Sequence, residues 1–247
     1  MNRTILISMI ILTGTCSPVS VKKNKNYSEK QTHISSNING KGPEIIIILK
    51  KGESFYYPLF AVWLEDVEGN YLQTLYVSKS VATGVFRFAK QEGRKWIAAE
   101  KRAPQTLPYW AHKRGVKAAD GLYMPDSVTS VPDAYTGATP ITGFILTSKA
   151  DDVLSGRFRV LLEINQNWDW NEYWTNDKYP GDDNYKMSCQ PALVYEADID
   201  NESGNEFYQM KPIGHSHYSG KTGELFEDLS TLTTALQIVD SIIVRIQ

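Results

Sequence analysis

The stretch Asp133-Ala134-Tyr135-Thr136-Gly137-Ala138-Thr139 sets one carboxylate and two threonine hydroxyls around a pair of small residues. Gly137 and Ala138 leave the Thr139 hydroxyl unshielded, the condition an alcohol must meet to enter another enzyme's site as a group acceptor. Turn chemistry gives the same residues a second reading, in which Pro132-Asp133 starts a turn and Thr136-Gly137 closes it between two strands. His215 and His217 stand two apart, a spacing that on a strand aims both imidazoles at one face, as some metal sites require. No third ligand follows from the sequence, so a pair of polar loop histidines is the alternative and no metal is assigned. Acidic pairs at Asp151-Asp152, Asp182-Asp183 and Asp198-Ile199-Asp200-Asn201-Glu202 offer the oxygen ligands calcium takes, but without EF-hand order, and turns use the same residues. Neither G-x-S-x-G nor H-E-x-x-H occurs, and no nucleophile is matched with a base, so no catalytic residue is assigned.

These groups need a scaffold, and the chain divides into three parts. Asn2 and Arg3 give a short polar, basic start, Ile5 to Leu12 form an apolar run broken only by Ser8, and Thr13, Gly14 and Thr15 lead to Cys16. The run is too short to span a bilayer. Residues 17–42 are rich in Lys, Asn, Ser and Gly with almost no apolar periodicity and read as a flexible tether. Residues 43–247 are long enough to bury a sizeable core. The formal net charge is −2, with no basic stripe interleaved with aromatics, which argues against a nucleic-acid partner. The sequence has two cysteines, and Cys189 reads as a buried thiol or, alternatively, as a reactive or dimer-linking one.

Within the folded part, Glu44 to Lys50 is a β-branched run that reads as a buried strand, and Leu59 to Val67 and Tyr71 to Ser78 form a hairpin around Glu68-Gly69-Asn70. Ile141 to Lys149, Gly156 to Asn165, Pro191 to Ile199, Phe207 to Met210 and Ile238 to Ile246 continue the pattern, with Phe158, Val160, Leu162 and Ile164 on one face. In the last strand Ile238, Asp240, Ile242, Val244 and Ile246 share one face, and both faces are expected to be covered. Short strands between Gly, Asp, Asn and Pro turns predict a mainly β fold, an antiparallel sandwich. The exception lies near 94–140, a short helical or irregular insertion with one helical stretch over 104–113 broken at Pro108.

Several blocks carry resemblances. The order D-x-x-T-G-A-T in Asp133–Thr139 is similar to the acceptor motif that bacterial flavin transferases of the ApbE type use to attach FMN to threonine through a phosphoester bond. The resemblance implies covalent FMN on Thr139, with Asp133 and Thr136 recognised by the transferase or shaping the loop and Gly137 and Ala138 giving access. Thr13-Gly14-Thr15-Cys16 resembles the lipobox of bacterial lipoproteins, with Thr13 where Leu is more usual. It implies lipidation at Cys16, against the alternatives of a plain secretory signal or a single-span anchor. Ala61–Asp66, Asp152–Glu163, Asn165–Asn171, Gln190–Tyr195 and Arg102–Gly115 resemble an uncharacterised family of predicted periplasmic bacterial proteins. That family is similar in its second half to the immunoglobulin-like domain of the flagellar hook-capping protein FlgD.

Two functions are expected from this. One is a lipid-anchored flavoprotein of the cell envelope, facing the periplasm or exterior, with a flavin transferase and extracytoplasmic or membrane redox proteins as partners. The flavin would need flat aromatic neighbours, for which Tyr135, Tyr109, Trp110, Trp168, Trp170 and Trp174 are candidates, and a positive group near its phosphate or N1, for which His112 in Trp110-Ala111-His112-Lys113-Arg114 is the candidate. Core packing and a solvated basic loop are the ordinary readings of these residues. The other function is a surface-anchored immunoglobulin-like binding or scaffold module without cofactor. Three Trp within Trp168–Trp174 exceed what one strand face can bury, so exposed rings are expected there.

Overall fold

The computed structural model describes residues 31–247. The signal-like segment, Cys16 and the first half of the tether lie outside the described residues. The fold is the expected mainly β sandwich. One sheet has strand order β1 (Thr32–Ser36), β8 (Phe144–Lys149), β2 (Glu44–Lys51), β13 (Val239–Ile246) and β11 (Phe207–Gln209). The other runs β12 (Lys211–His215), β10 (Leu193–Asp200), β9 (Arg157–Asn165), β3 (Leu59–Glu65), β4 (Tyr71–Ser78) and β7 (Thr136–Gly137). Pairing is antiparallel except at two edges, where β1 joins β8 and β7 joins β4 in parallel.

The core between the sheets is built from alternate residues: Ile45, Ile47 and Leu49 of β2 meet Phe60, Val62 and Leu64 of β3 and Phe158, Val160, Leu162 and Ile164 of β9. Phe60 stacks on Phe144 at 4.7 Å and on Tyr76 at 5.1 Å between centroids, fixing the sheets against each other beside β4.

The second sheet is covered on its outer face as well, so Ala61, Trp63, Val77, Leu161 and Val194 are buried there. The cover is the insertion, which leaves β4 through α1 (Lys79–Thr83), makes a hairpin of β5 (Val85–Glu92) and β6 (Lys95–Glu100), and returns through α2 (Pro108–Arg114). Lys95–Glu100 is thus strand where irregular or helical structure was expected. Pro108 begins α2 instead of breaking a helix, because Pro at the first helical position lacks only an N–H that has no intrahelical acceptor. Gly115, at φ 74°, ends it.

Two further expectations are corrected. Thr32–Ser36, read as tether, is a strand: Ile34 packs on the core, and buried Ser36 Oγ donates to Leu75 O at 2.7 Å. Low apolar content did not prevent ordering because the exposed β8 edge supplied backbone partners. In β13 a register shift between Val239 and Ser241 turns Asp240 outward to Lys50 Nζ at 2.9 Å, so Asp240 does not share the Ile242–Ile246 face, and Ile243 and Arg245 on the other face are only half-buried.

Register places the long connections at one end. Asn165 opposes Leu59, Ala61 opposes Val77, Leu193 opposes Ile164 and His215, and Lys51 opposes Val239. Segments 52–58, 79–143, 166–192 and 216–238 therefore all leave from that end. A third helix, α3 (Asp183–Ser188), sits in one of them, capped by Asp182, whose side chain accepts from Tyr185 N.

Candidate functional site

The Asp133–Thr139 segment runs along the β4 edge. Asp133–Tyr135 form one short 3-10 turn, after which Thr136 and Gly137 pair with Val77 and Ser78. Only glycine fits at 137, because a Cβ there would stand 2.8 Å from Tyr76 Oη and 3.0 Å from its Cε2. Tyr76 Oη donates to Ala138 O at 2.9 Å. Thr139 Oγ1 donates to the buried Ser78 Oγ at 3.3 Å, which also accepts Phe60 N at 3.1 Å. Asp133 and Ala138 are exposed, while Thr136 and Thr139 are half-buried. The Asp133 carboxylate lies 3.6 Å from Lys79 Nζ, both well exposed, so this ion pair holds the turn only weakly. The segment is thus both things the sequence allowed, a turn and a small-residue edge carrying a threonine hydroxyl.

Tyr135 points away from Thr139. Its hydroxyl donates to the Asp151 carboxylate, 3.0 Å from each oxygen, and burial together with that carboxylate pushes the phenol up to about 12. Asp151 also accepts from Asn37 Nδ2 at 2.8 Å, and its backbone N–H donates to Gln73 Oε1 at 2.7 Å. Tyr135, Asp151 and Gln73 wall a cavity of about 180 Å³ shared with Tyr71, Thr74 and Arg114. Arg114 Nη2 donates to Thr129 O at 2.6 Å, but Nη1 is buried with no hydrogen-bond partner among the described residues. Burial lowers the Arg114 pKa, and a guanidinium stays charged regardless.

The Arg114 position is fixed from the other end of α2. Glu163, fully buried on β9, accepts Trp110 N at 2.8 Å and Tyr109 N at 3.2 Å, satisfying N–H groups of the first turn. Burial pushes the Glu163 pKa up to about 8 against the lowering effect of these N–H groups and the Ser216 hydroxyl. Trp110, fully buried, donates through Nε1 to Thr74 Oγ1 at 2.9 Å on β4. Lys113 and Arg159 converge on buried Glu65 at 3.3 Å each. The helix is pinned to β3, β4 and β9 by polar contacts, and its last residue reaches the cavity.

The other candidates separate from this site. Tyr109 and Trp110 are buried under α2 and present no free ring face. His112 Nδ1 donates to Pro108 O at 2.8 Å and its ring packs on Tyr123 at 4.2 Å; Arg114, two residues on in the same basic run, is the cation that reaches the cavity. An arginine in the last turn before a helix-ending glycine was the available signal. Trp174 is buried, its Nε1 donating to Thr231 Oγ1 at 3.1 Å, whereas Trp168 and Trp170 are 54% and 56% exposed. His215 ends β12 and donates Nδ1–H to Ser216 O at 2.9 Å, while His217 lies beyond the strand and accepts from Ser219 N at 3.1 Å. Their spacing therefore does not act on one strand face, and no group of three metal-ligating side chains occurs among the described residues. Asp182 and Asp200 serve as a helix cap and a turn acceptor. Cys189 is buried, and burial raises its thiol pKa.

A threonine-linked FMN fits these residues in one respect: Thr139 Oγ1 is held by one long hydrogen bond on an edge segment. Comparisons with family models, curated proteins and solved structures give no match to the chain.

Proposed function

We propose that the protein is a membrane-anchored extracytoplasmic flavoprotein that carries covalent FMN on Thr139 and passes electrons between envelope redox partners. The observation that carries this reading is the ordered D-x-x-T-G-A-T segment on a sheet edge. It is held by a two-residue ladder, the Tyr76–Ala138 hydrogen bond and one long hydrogen bond from Thr139 to Ser78, few contacts for a transferase to break in lifting Thr139. In attachment, Thr139 Oγ1 forms the bond to the flavin-side phosphorus of a flavin dinucleotide. The pyrophosphate bond breaks, a nucleoside monophosphate leaves, and the hydroxyl proton passes to a base of the transferase. Bound flavin supplies one- and two-electron chemistry, while this chain holds and orients it. Lipidation at Cys16 would keep the carrier at a membrane surface. The test is intact mass after export alongside an ApbE-type transferase: an FMN increment absent from Thr139→Ala supports the reading.

The end of the sandwich that carries the long connections favours a second reading. Tyr56, Tyr57, Trp168, Trp170 and Tyr173 are all more than half exposed there, as a protein- or glycan-binding module without cofactor would require. Binding lost in Trp170→Ala, in a protein that takes up no flavin, would favour it.

A further inference from the structure

We propose that the end of the sandwich carrying the long connections rests on the bilayer that holds the Cys16 anchor, with Tyr56, Tyr57, Trp168 and Trp170 seated at the membrane–water boundary. This rests on the anchored reading and gives the exposed aromatics a lipid occupant in place of a protein or glycan.

The point at which the chain enters the sandwich selects that occupant. Thr32 opposes Phe144 and donates its N–H to Gly143 O at 3.0 Å, and Phe144 opposes Leu49, close to where β2 gives way to segment 52–58. β1 therefore begins at the same end at which Tyr56 and Tyr57 precede β3 and Trp168 and Trp170 follow β9. Cys16 lies fifteen positions before Gln31, a span of at most about 50 Å. An acyl group on Cys16 is thus joined to the sandwich at its aromatic end, which is the end held nearest the membrane.

The local backbone holds these rings outward. Tyr57 at φ 49° and Trp168 at φ 63° are left-handed, a conformation that a bulky residue takes only where its surroundings impose it. Tyr56 N donates to Gln166 Oε1 at 3.1 Å, tying the two aromatic segments together, and Trp168 N donates to Met187 O at 2.9 Å. All four residues are more than half exposed. Tyr and Trp join an apolar ring to a polar O–H or N–H, the combination that favours the membrane–water boundary over either phase. Segments 52–58, 79–143, 166–192 and 216–238 together carry 13 Lys and Arg against 14 Asp and Glu. This end meets a bilayer with almost no net charge, so burial of the rings, not attraction to headgroup charge, holds it there.

The experiment places the full-length acylated protein on vesicles of phosphatidylethanolamine and phosphatidylglycerol, with and without brominated acyl chains, and reads Trp emission and intact mass. We expect an acyl increment on Cys16 and partial quenching by the bromine that persists at high salt, partial because Trp63, Trp110 and Trp174 are buried. Trp168→Phe/Trp170→Phe should remove most of that quenching. Trp96→Phe, which changes the one other Trp that is more than half exposed, should leave it in place and so assigns the quenching even if the double variant fails to fold. An acylated protein whose emission ignores the bromine overturns docking and leaves the anchor standing, whether its emission responds to chito-oligosaccharide, to protein concentration or to neither. Quenching that survives Trp168→Phe/Trp170→Phe, or that disappears in Trp96→Phe, also overturns docking at this end. An unacylated chain that stays off the vesicles overturns anchoring and docking together.

Discussion

The Tyr76 phenol donates to Ala138 O across 2.9 Å and occupies the space that a Cβ on Gly137 would need. Tyr76 is itself fully buried and stacked on Phe60, so it cannot yield. One core tyrosine thus sets both how close the Thr136–Gly137 ladder lies to β4 and where Thr139 begins.

Gly137→Ala should therefore lift the segment from β4 and cost about 1–3 kcal/mol in urea denaturation. Adding Tyr76→Phe removes the nearest clashing atom and should recover part of that loss, a non-additivity expected of residues in contact. Strict additivity of the two changes would contradict the packing described.

Trp110→Phe should cost about 1–3 kcal/mol, since it deletes the Nε1–Thr74 hydrogen bond and leaves space under α2. Amide exchange should quicken over 108–114 before it does in β9. A change within about 0.5 kcal/mol would mean that α2 is held by something else.

Glu163 supplies a pH signature. Its pKa, raised by burial from 4.5 to about 8, means that it binds a proton more tightly in the folded chain than in the unfolded one. Its contribution is complete below about pH 4.5 and is lost as the pH rises through about 8. Urea midpoints of the wild type should fall across that window, and Glu163→Gln should flatten the fall. Equal slopes in the two proteins would exclude Glu163 as the source.

Cys189 should react slowly with a thiol reagent in native buffer and fast in denaturant, because its residue is fully buried and burial raises its pKa. Complete native labelling within minutes would contradict that burial.

The strands were legible where apolar residues alternate against turn residues: Tyr71–Ser78 was read with its observed bounds, and Arg157–Asn165 to within one residue. Thr32–Ser36 was not, because its partner is an edge 112 residues away in sequence and its own apolar content is one isoleucine. The helix α2 was misread at Pro108, since a proline that interrupts a helix and one that begins it look alike until the preceding turn is known. For the site, the acceptor segment was legible as a contiguous motif. The cavity was not, because Tyr71, Arg114, Tyr135 and Asp151 converge only when the insertion folds back over β4 and the β8–β9 turn reaches its edge.

Intact mass of the full-length chain, exported with and without an ApbE-type flavin transferase, tests the assignment of Thr139 most directly. The predicted result is an increment of one FMN in the presence of the transferase, absent without it and absent in Thr139→Ala. An unmodified wild-type mass, or an FMN increment that persists in Thr139→Ala, would contradict it.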